Sequence, residues 1–307
     1  MKEYRNPWLW VPTLYFAEGV PYFIVNNISV VMFKNMGMPN GMLSLYTSML
    51  YLPWVIKPLW SPFVDIIGNK RRWILAMQFL MTAAMLVLPF LIPSVSGEMM
   101  ASSPMFFVTL SLFWITAFAS ATHDIAADGF YMLGMNSNKQ AEFVGIRSTF
   151  YRLSSIFGQG VLAGFLETGT GDVHLAWKIT LLVSAAVFAA VTVFHTWSLP
   201  CPKTDTLSKA GNPGDICRDF IRTFVTFFRK KGVWMALLFM LLYRLPEAFL
   251  IKMINPFMLD SIEDGGLAMS TESVGLIYGT IGVAALTVGG ILGGMAASIW
   301  GLRKSLW

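Results

Sequence analysis

Asp124 and Asp128 stand four residues apart in the stretch SATHDIAADGFYM, so a helix sets both carboxylates on one face. Two carboxyls that close can take up and release a proton between them. Glu18 adds a third, three residues before Pro21, whose missing N–H loosens a helix and can open it onto a cavity. Tyr22 and Asn26 follow Glu18 at four-residue steps, so one helix face is expected to offer a carboxylate, a phenol and an amide. The basic counterparts are Lys57, Arg147 and Arg152, with Arg244, Glu247 and Lys252 further along. A guanidinium binds two oxygens of a carboxylate or phosphate through its planar fork, which suits a solute-binding role for Arg147 or Arg152. The two lie about 140° apart around a helix, so at most one fits a given surface. This inventory speaks of proton exchange and of holding a polar, charged solute.

Each of these groups is embedded in apolar sequence. Hydrophobic residues form 55% of the 307, charged residues only 13%, and mean hydropathy is +0.60. A soluble domain carries about 25% charged residues. Uncharged runs at Trp73–Val95, Ala101–Thr122, Ile179–Pro200 and Ser273–Leu302 are each long enough to cross ~30 Å of hydrocarbon as a helix. An ionisable group within such a span costs at least ~2.5–3.5 kcal/mol at its centre, so it normally faces a wet interior. The pattern predicts eight spans, at about 8–33, 43–67, 73–95, 104–132, 141–166, 176–198, 232–258 and 272–301. Of the lysines and arginines in the connections and at the span ends, fifteen fall on one side and only Lys34 and Lys178 on the other. The excess marks the cytoplasmic side and places both termini there.

Other classes find little support. The runs do not alternate as barrel strands would. The first span is too long for a signal-peptide core and carries Glu18. Cys201 and Cys217 are the only cysteines, both in a basic loop, so neither disulfide nor thiolate metal site is expected. Three histidines, two of them near opposite faces, make a metal site improbable, and no cofactor is expected. His123 and Asp124 are adjacent and point about 100° apart, which argues against a catalytic dyad and an enzyme. No phosphate-binding Gly-x4-Gly-Lys-Ser/Thr loop is present. The pI near 9.2 comes from charges spread over several loops, not from a nucleic-acid-binding patch.

The connection at 199–231 is the one long loop and a natural domain boundary, separating 1–198 from 232–307. Within it, DICRDFIRTFVTFFRKK places Ile216, Phe220, Phe224 and Phe227 at helical spacing against Arg218, Arg222 and Arg229. An amphipathic helix is expected, lying on the inner leaflet or packed on the bundle as a linker. The chain also repeats itself. Span two ends SPFVDIIGNKRR and span eight ends GMAASIWGLRK, which aligns Ser61, Asp65 and Gly68 with Gly294, Ser298 and Gly301 at an offset of 233. Tyr46 and Tyr278 fall at nearly the same offset. Six helices then form one half and the last two begin a second, the arrangement of many secondary transporters.

The loop at 61–72 resembles the Gly-x3-Asp-x2-Gly-x-basic signature of the major facilitator superfamily, with Ser61 in place of the first glycine and Ile66 in place of the usual arginine. YFAEGVPYFIVNN, YLPWVIKPLWSPFVD, the HDIAAD run and GIRSTFYRLSSIFGQG further resemble its peptide–acetyl-CoA–drug branch, and within that the bacterial muropeptide permeases of the AmpG type. The resemblance covers most of residues 8–165. It implies an all-α polytopic membrane protein: a six-helix bundle of the major-facilitator type plus the first two helices of a second bundle. A twelve-helix parent would need four more spans, so the chain is expected to be a fragment. It implies proton-coupled import of cell-wall-derived muropeptides, or a related polar solute, across the bacterial inner membrane by a monomer. Export of amphiphilic drugs or lipids on the same architecture is the alternative.

On this reading Asp124, Asp128 and Glu18 couple protons, while Tyr22, Asn26, Lys57, Arg147 and Arg152 bind the solute. Asp65, Gly68, Arg71 and Arg72, with Lys70, form a loop that pairs with helix ends in one conformation and releases them in another. Structural pairings compete with these roles: Glu18 with Lys57 or Arg147, Asp128 with Arg71 or Arg72, Arg147 with the span-four aspartates, and Arg244 with Glu247.

Overall fold

The structure, a computed structural model, describes residues 5–94, 97–166, 173–203, 205, 213–259, 261–263, 265–269, 277 and 281–301. Tyr278, Arg303 and Lys304 lie outside these residues, as do the side chains of Arg244, Glu247, Lys252 and Ser298. All regular structure among the described residues is helical. The chain divides into two compact units, Met1–Ala210 with Gly293–Trp307, and Gly211–Leu292.

In the first unit, helix α1 (Pro7–Phe23) opens with Asn6, whose side chain accepts from the Trp8 N–H, and with Pro7 at the first helical position. Past Pro21 the backbone widens into a π-helical turn (Ile24–Ile28) and resumes as α2 (Ser29–Asn35). Span two is expected from its apolarity as one helix over 43–67, and here the structure differs. It runs as α3 (Asn40–Met49), α4 (Leu52–Ile56), a 3₁₀ turn (Lys57–Leu59) and α5 (Ser61–Ile66). The cause is three prolines, Pro53, Pro58 and Pro62, each lacking the N–H that a continuous helix would bond to the preceding turn. Long helices follow: α6 (Lys70–Val87), α7 (Pro104–Gly134), α8 (Ser137–Leu166) and α9 (Val173–Ser198). Among the described residues, four helical stretches, Pro7–Asn35, Lys70–Phe90, Pro104–Gly134 and His174–Ser198, are long and apolar enough to cross a membrane.

Helix α1 packs against α7, α8 and α9, and α6 packs against α7 and α9. Two apolar cores result. One gathers Phe23, Phe33, Met85, Phe106, Phe113 and Trp177; the other gathers Trp10, Leu14, Ile74, Phe130, Phe143 and Leu199. Several polar residues of these helices fall near the junction of the two cores. Glu18 lies between Leu14 and Phe23, Gln78 between Ile74 and Met81, and His123 and Asp124 between Ala119 and Ala126.

The second unit holds α10 (Pro213–Arg229), α11 (Val233–Leu259) and the first part of α12 (Gly282–Trp300). Ile221, Val225, Phe227 and Phe228 of α10 are exposed. The repeat has a backbone counterpart: Gly68 and Gly301, 233 residues apart, take φ of 80° and 81°, a left-handed geometry that favours glycine.

Helices α1 and α8 approach so closely at Gly19 that a Cβ there would meet Ser154 Oγ at 1.9 Å and the Tyr151 carbonyl oxygen at 2.8 Å. Gly19→Val is therefore expected to cost about 1–3 kcal/mol by overpacking, read as a lower unfolding midpoint in detergent. Gly41→Ala, which meets nothing within 4 Å and lies within α3, should leave the midpoint undiminished or raise it.

Candidate functional site

Five of the residues singled out in the sequence converge in the first unit. The 3₁₀ turn of span two delivers Lys57 to Asp124 on α7 as an ion pair, with side-chain exposures of 32% and 13%. One turn along α7, Asp128 Oδ1 accepts from Arg147 Nη2 of α8 and from the Tyr15 hydroxyl of α1, both at 3.0 Å. The Arg147 guanidinium lies over the rings of Tyr15 and Tyr131, 4.6 and 5.2 Å from their centroids. Two aromatic faces and a carboxylate therefore hold it in place. Glu18 of α1 is buried beside this group, near Asp124, Asp128 and Arg147. Its Oε2 has no hydrogen-bond partner, and among the described residues no cation pairs with it. The charges count as three carboxyls against two cations.

Arg152 stands apart from that cluster, on a different face of α8 as the 140° separation requires. It lines a cavity of about 290 Å³ between α1, its π turn and α8, together with Gly19, Tyr22, Phe23, Asn27, Tyr151, Ser154 and Ser155. Asn26, expected to share the Tyr22 face, donates instead to the Tyr22 carbonyl at 3.0 Å, and Asn27 reaches the cavity. The π turn is the reason. It bonds the Ser29 N–H to the Ile24 carbonyl five residues back and so advances the register by one residue.

At the other end of span two, Lys70 is buried, pairs with Asp65 and donates to the Val64 carbonyl at 3.2 Å. Its stem lies against Gly129 of α7, where an added Cβ would meet Lys70 Cε at 2.9 Å. Arg71 donates to the Thr196 carbonyl of α9 at 2.5 Å, whereas the Arg72 side chain is exposed. Neither arginine pairs with Asp128, whose cation is Arg147. Asp205, from the stretch after span six, had no sequence signal. Its two oxygens accept from the Lys70 and Arg71 N–H groups at 2.8 and 3.1 Å and cap α6.

A second polar group also escaped the sequence argument. Gln78 of α6 bridges His123 Nε2 of α7 at 3.0 Å and His195 Nδ1 of α9 at 2.9 Å. His195 Nε2 reaches Thr13 Oγ1 of α1 at 2.9 Å. Gln78, His123 and His195 are fully buried, and His123 Nδ1 has no partner. The available signal was a glutamine in the otherwise apolar middle of span three. Among the described residues no group of three or more His, Cys, Asp or Glu side chains could hold a metal.

A helical bundle with several helices long and apolar enough to cross a membrane, broken first and second spans, and a half-buried carboxylate–cation cluster defines a multi-pass membrane protein of the secondary-transporter class. The family model described as Major Facilitator Superfamily matches residues 13–307, and the chain belongs to that family, one of transporters and not of enzymes. It is similar to the anhydromuropeptide permease of Escherichia coli (strain K12), 26% identical over 267 residues, covering 85% of this chain and 49% of the relative. It is also similar to a Rickettsia felis protein named "Putative transporter AmpG 4", 24% identical over 322 residues, covering 99% and 70%. A Rickettsia prowazekii protein named "Putative transporter AmpG 3" is 26% identical over 274 residues, covering 84% and 60%. The chain spans about half the length of the Escherichia coli relative.

Two outcomes are expected from these contacts. Asp205→Ala should destabilise the start of α6 by about 0.5–2 kcal/mol, seen as faster hydrogen exchange at the Lys70 and Arg71 amides with the bundle core unchanged. Gln78→Leu leaves two buried imidazoles without their bridge and is expected to cost about 1–3 kcal/mol for each unsatisfied group, measured as a lower unfolding midpoint.

Proposed function

We propose that the protein is a proton-coupled importer of the bacterial inner membrane that carries cell-wall-derived muropeptides, amino sugars bearing short peptides, or a related polar solute into the cytoplasm by alternating access. The observation that carries this reading is Glu18, a buried carboxyl without a cation beside two carboxylates that each have one. An unpaired carboxylate in such a place costs several kcal/mol, and taking up a proton removes that cost. Glu18 with Asp124 and Asp128 forms the coupling group. Lys57 pairs with Asp124 and Arg147 with Asp128. Tyr22, Asn27 and Arg152 line the solute's path along span one.

The relatives named as an anhydromuropeptide permease and as AmpG transporters support the choice of solute and membrane. The loop from Asp65 through Gly68 to Arg71 and Arg72 acts as the cytoplasmic gate, with Lys70 held between Asp65 and α7 in the state seen here. The excess of lysine and arginine on one side supports cytoplasmic termini.

The test is uptake of radiolabelled anhydro-muropeptide into proteoliposomes under an inward proton gradient. Accumulation against the solute gradient should occur and collapse on adding a protonophore. Glu18→Gln should reduce accumulation at least about tenfold while leaving downhill solute exchange measurable. Full accumulation by Glu18→Gln removes Glu18 from coupling, and net extrusion of the solute overturns import.

A further inference from the structure

We infer that helix α10 is a membrane-surface anchor, its apolar face entering the lipid beside α11 and its arginines binding the phosphate headgroups of anionic lipids. This goes beyond the transport reading and does not depend on which solute is carried. Because a helix turns about 100° per residue, the side chains of α10 sort by direction. Phe220, Ile221, Phe224, Val225, Phe227 and Phe228 fall within one arc of about 160°. Arg218, Arg222 and Arg229 follow directly, within about 40° of one another along one edge of that arc. Asp219, Thr223 and Thr226 occupy the remaining side. A helix with a broad aromatic and aliphatic face, a cationic edge and a polar back lies in the plane of a membrane surface.

The structure leaves this face open. Ile221, Val225, Phe227 and Phe228 are exposed, as are the three arginines. What covers the face follows from where α10 ends. Only Lys230, Lys231 and Gly232 separate it from α11, and Gly232 makes the turn with φ of 81°. The Phe228 ring stacks on Trp234, the second residue of α11, with centroids 5.4 Å apart. Past Trp234 the surface of α11 is apolar, with Met235, Leu238, Phe239, Leu241 and Leu242 exposed. The end of α10 therefore sits where a lipid-compatible helix begins, against the kind of aromatic residue that marks a membrane–water boundary. Charge then selects the headgroup. Arg218, Arg222, Arg229, Lys230 and Lys231 outnumber Asp215 and Asp219. A guanidinium at the edge of an apolar face lays its stem on the lipid, and its planar fork takes two oxygens of a phosphate. An apolar protein surface would satisfy the phenylalanines and leave the arginine edge without a counterpart.

The chain carries its own probe position. Cys217 is exposed and falls inside the apolar arc, and Thr226, nine residues on, points about 180° away. A nitroxide is attached to Cys217 in the full chain bearing Cys201→Ser, and to position 226 in a companion bearing Cys201→Ser, Cys217→Ser and Thr226→Cys. Both are reconstituted into vesicles of phosphatidylcholine alone or mixed with phosphatidylglycerol. Electron spin resonance then reads how far each label is reached by oxygen, which enters lipid, and by a nickel chelate, which stays in water. With phosphatidylglycerol present the label at 217 should be open to oxygen and shielded from nickel, and the label at 226 should show the reverse. Omitting the anionic lipid, or combining Arg218→Gln, Arg222→Gln and Arg229→Gln, should lower the nickel shielding at 217 at least about fivefold. Equal shielding in both kinds of vesicle overturns headgroup recognition. Shielding at 217 from both reagents shows that protein covers the face, and equal nickel access at 217 and 226 shows that water does; either result overturns the anchor. The lipid comparison leaves every arginine in place, so the inference stays testable if the triple variant fails to fold.

Discussion

The structure depends on one constraint: a charge taken into an apolar bundle must meet an opposite charge, a hydrogen bond or water. Its helices satisfy this by setting several polar side chains near the junction of two apolar cores. There the polar groups segregate. Gln78, His123, His195 and Thr13 tie α6, α7, α9 and α1 together in one hydrogen-bonded network. The charged members gather where α1, α7, α8 and the broken second span meet. Helix α7 serves both, with His123 and Asp124 pointing to different sides because adjacent helical residues diverge by about 100°. The angular separation that counted against a dyad is what lets one helix bind two networks.

Irregular backbone places the charges. Lys57 reaches Asp124 from a 3₁₀ turn, and no straight helix over span two would hold its side chain there while keeping Pro58. Asn27 replaces Asn26 at the cavity because a π turn follows Pro21. Non-helical backbone at membrane depth is tolerated only where protein or a water-lined cavity covers it. Both irregular segments border a polar site, the ion-pair cluster for span two and the Arg152 cavity for span one.

Much of this was legible in the sequence for physical reasons. The apolar runs fixed the helical class, because an unbroken span in lipid has to satisfy its own backbone. The i, i+4 spacing put Asp124 and Asp128 on one face, and the same geometry separated Arg147 from Arg152. What escaped depended on contacts between segments far apart in the chain. Asp205 is one acidic residue in a polar loop until it meets the first amides of α6, 135 residues away. Gln78 and His195 are unremarkable singly, and their partnership across 117 residues exists only in the packed bundle. The break of span two was readable from Pro53, Pro58 and Pro62, but apolarity alone argued for a continuous helix. Asn27 could not be chosen over Asn26, since a π turn has no sequence signature beyond a nearby proline.

Helix α7 also joins the charged cluster to the loop from Asp65 to Arg72 over a very short distance. Asp128 is followed directly by Gly129, and Gly129 is where the stem of Lys70 rests, with its ammonium on Asp65. A side chain at 129 would make the end of that lysine shift, so the loop packs most closely on α7 at a glycine next to an aspartate of the cluster. The remaining anchors of the loop act on other elements, Arg71 on the end of α9 and Asp205 on the start of α6. A rigid helix moves as a unit, so any rotation of α7 that changes how Asp128 meets Arg147 and Tyr15 also moves Gly129 against Lys70. The cluster and the loop are therefore coupled by adjacency on one helix, and no longer chain of side chains is needed to connect them.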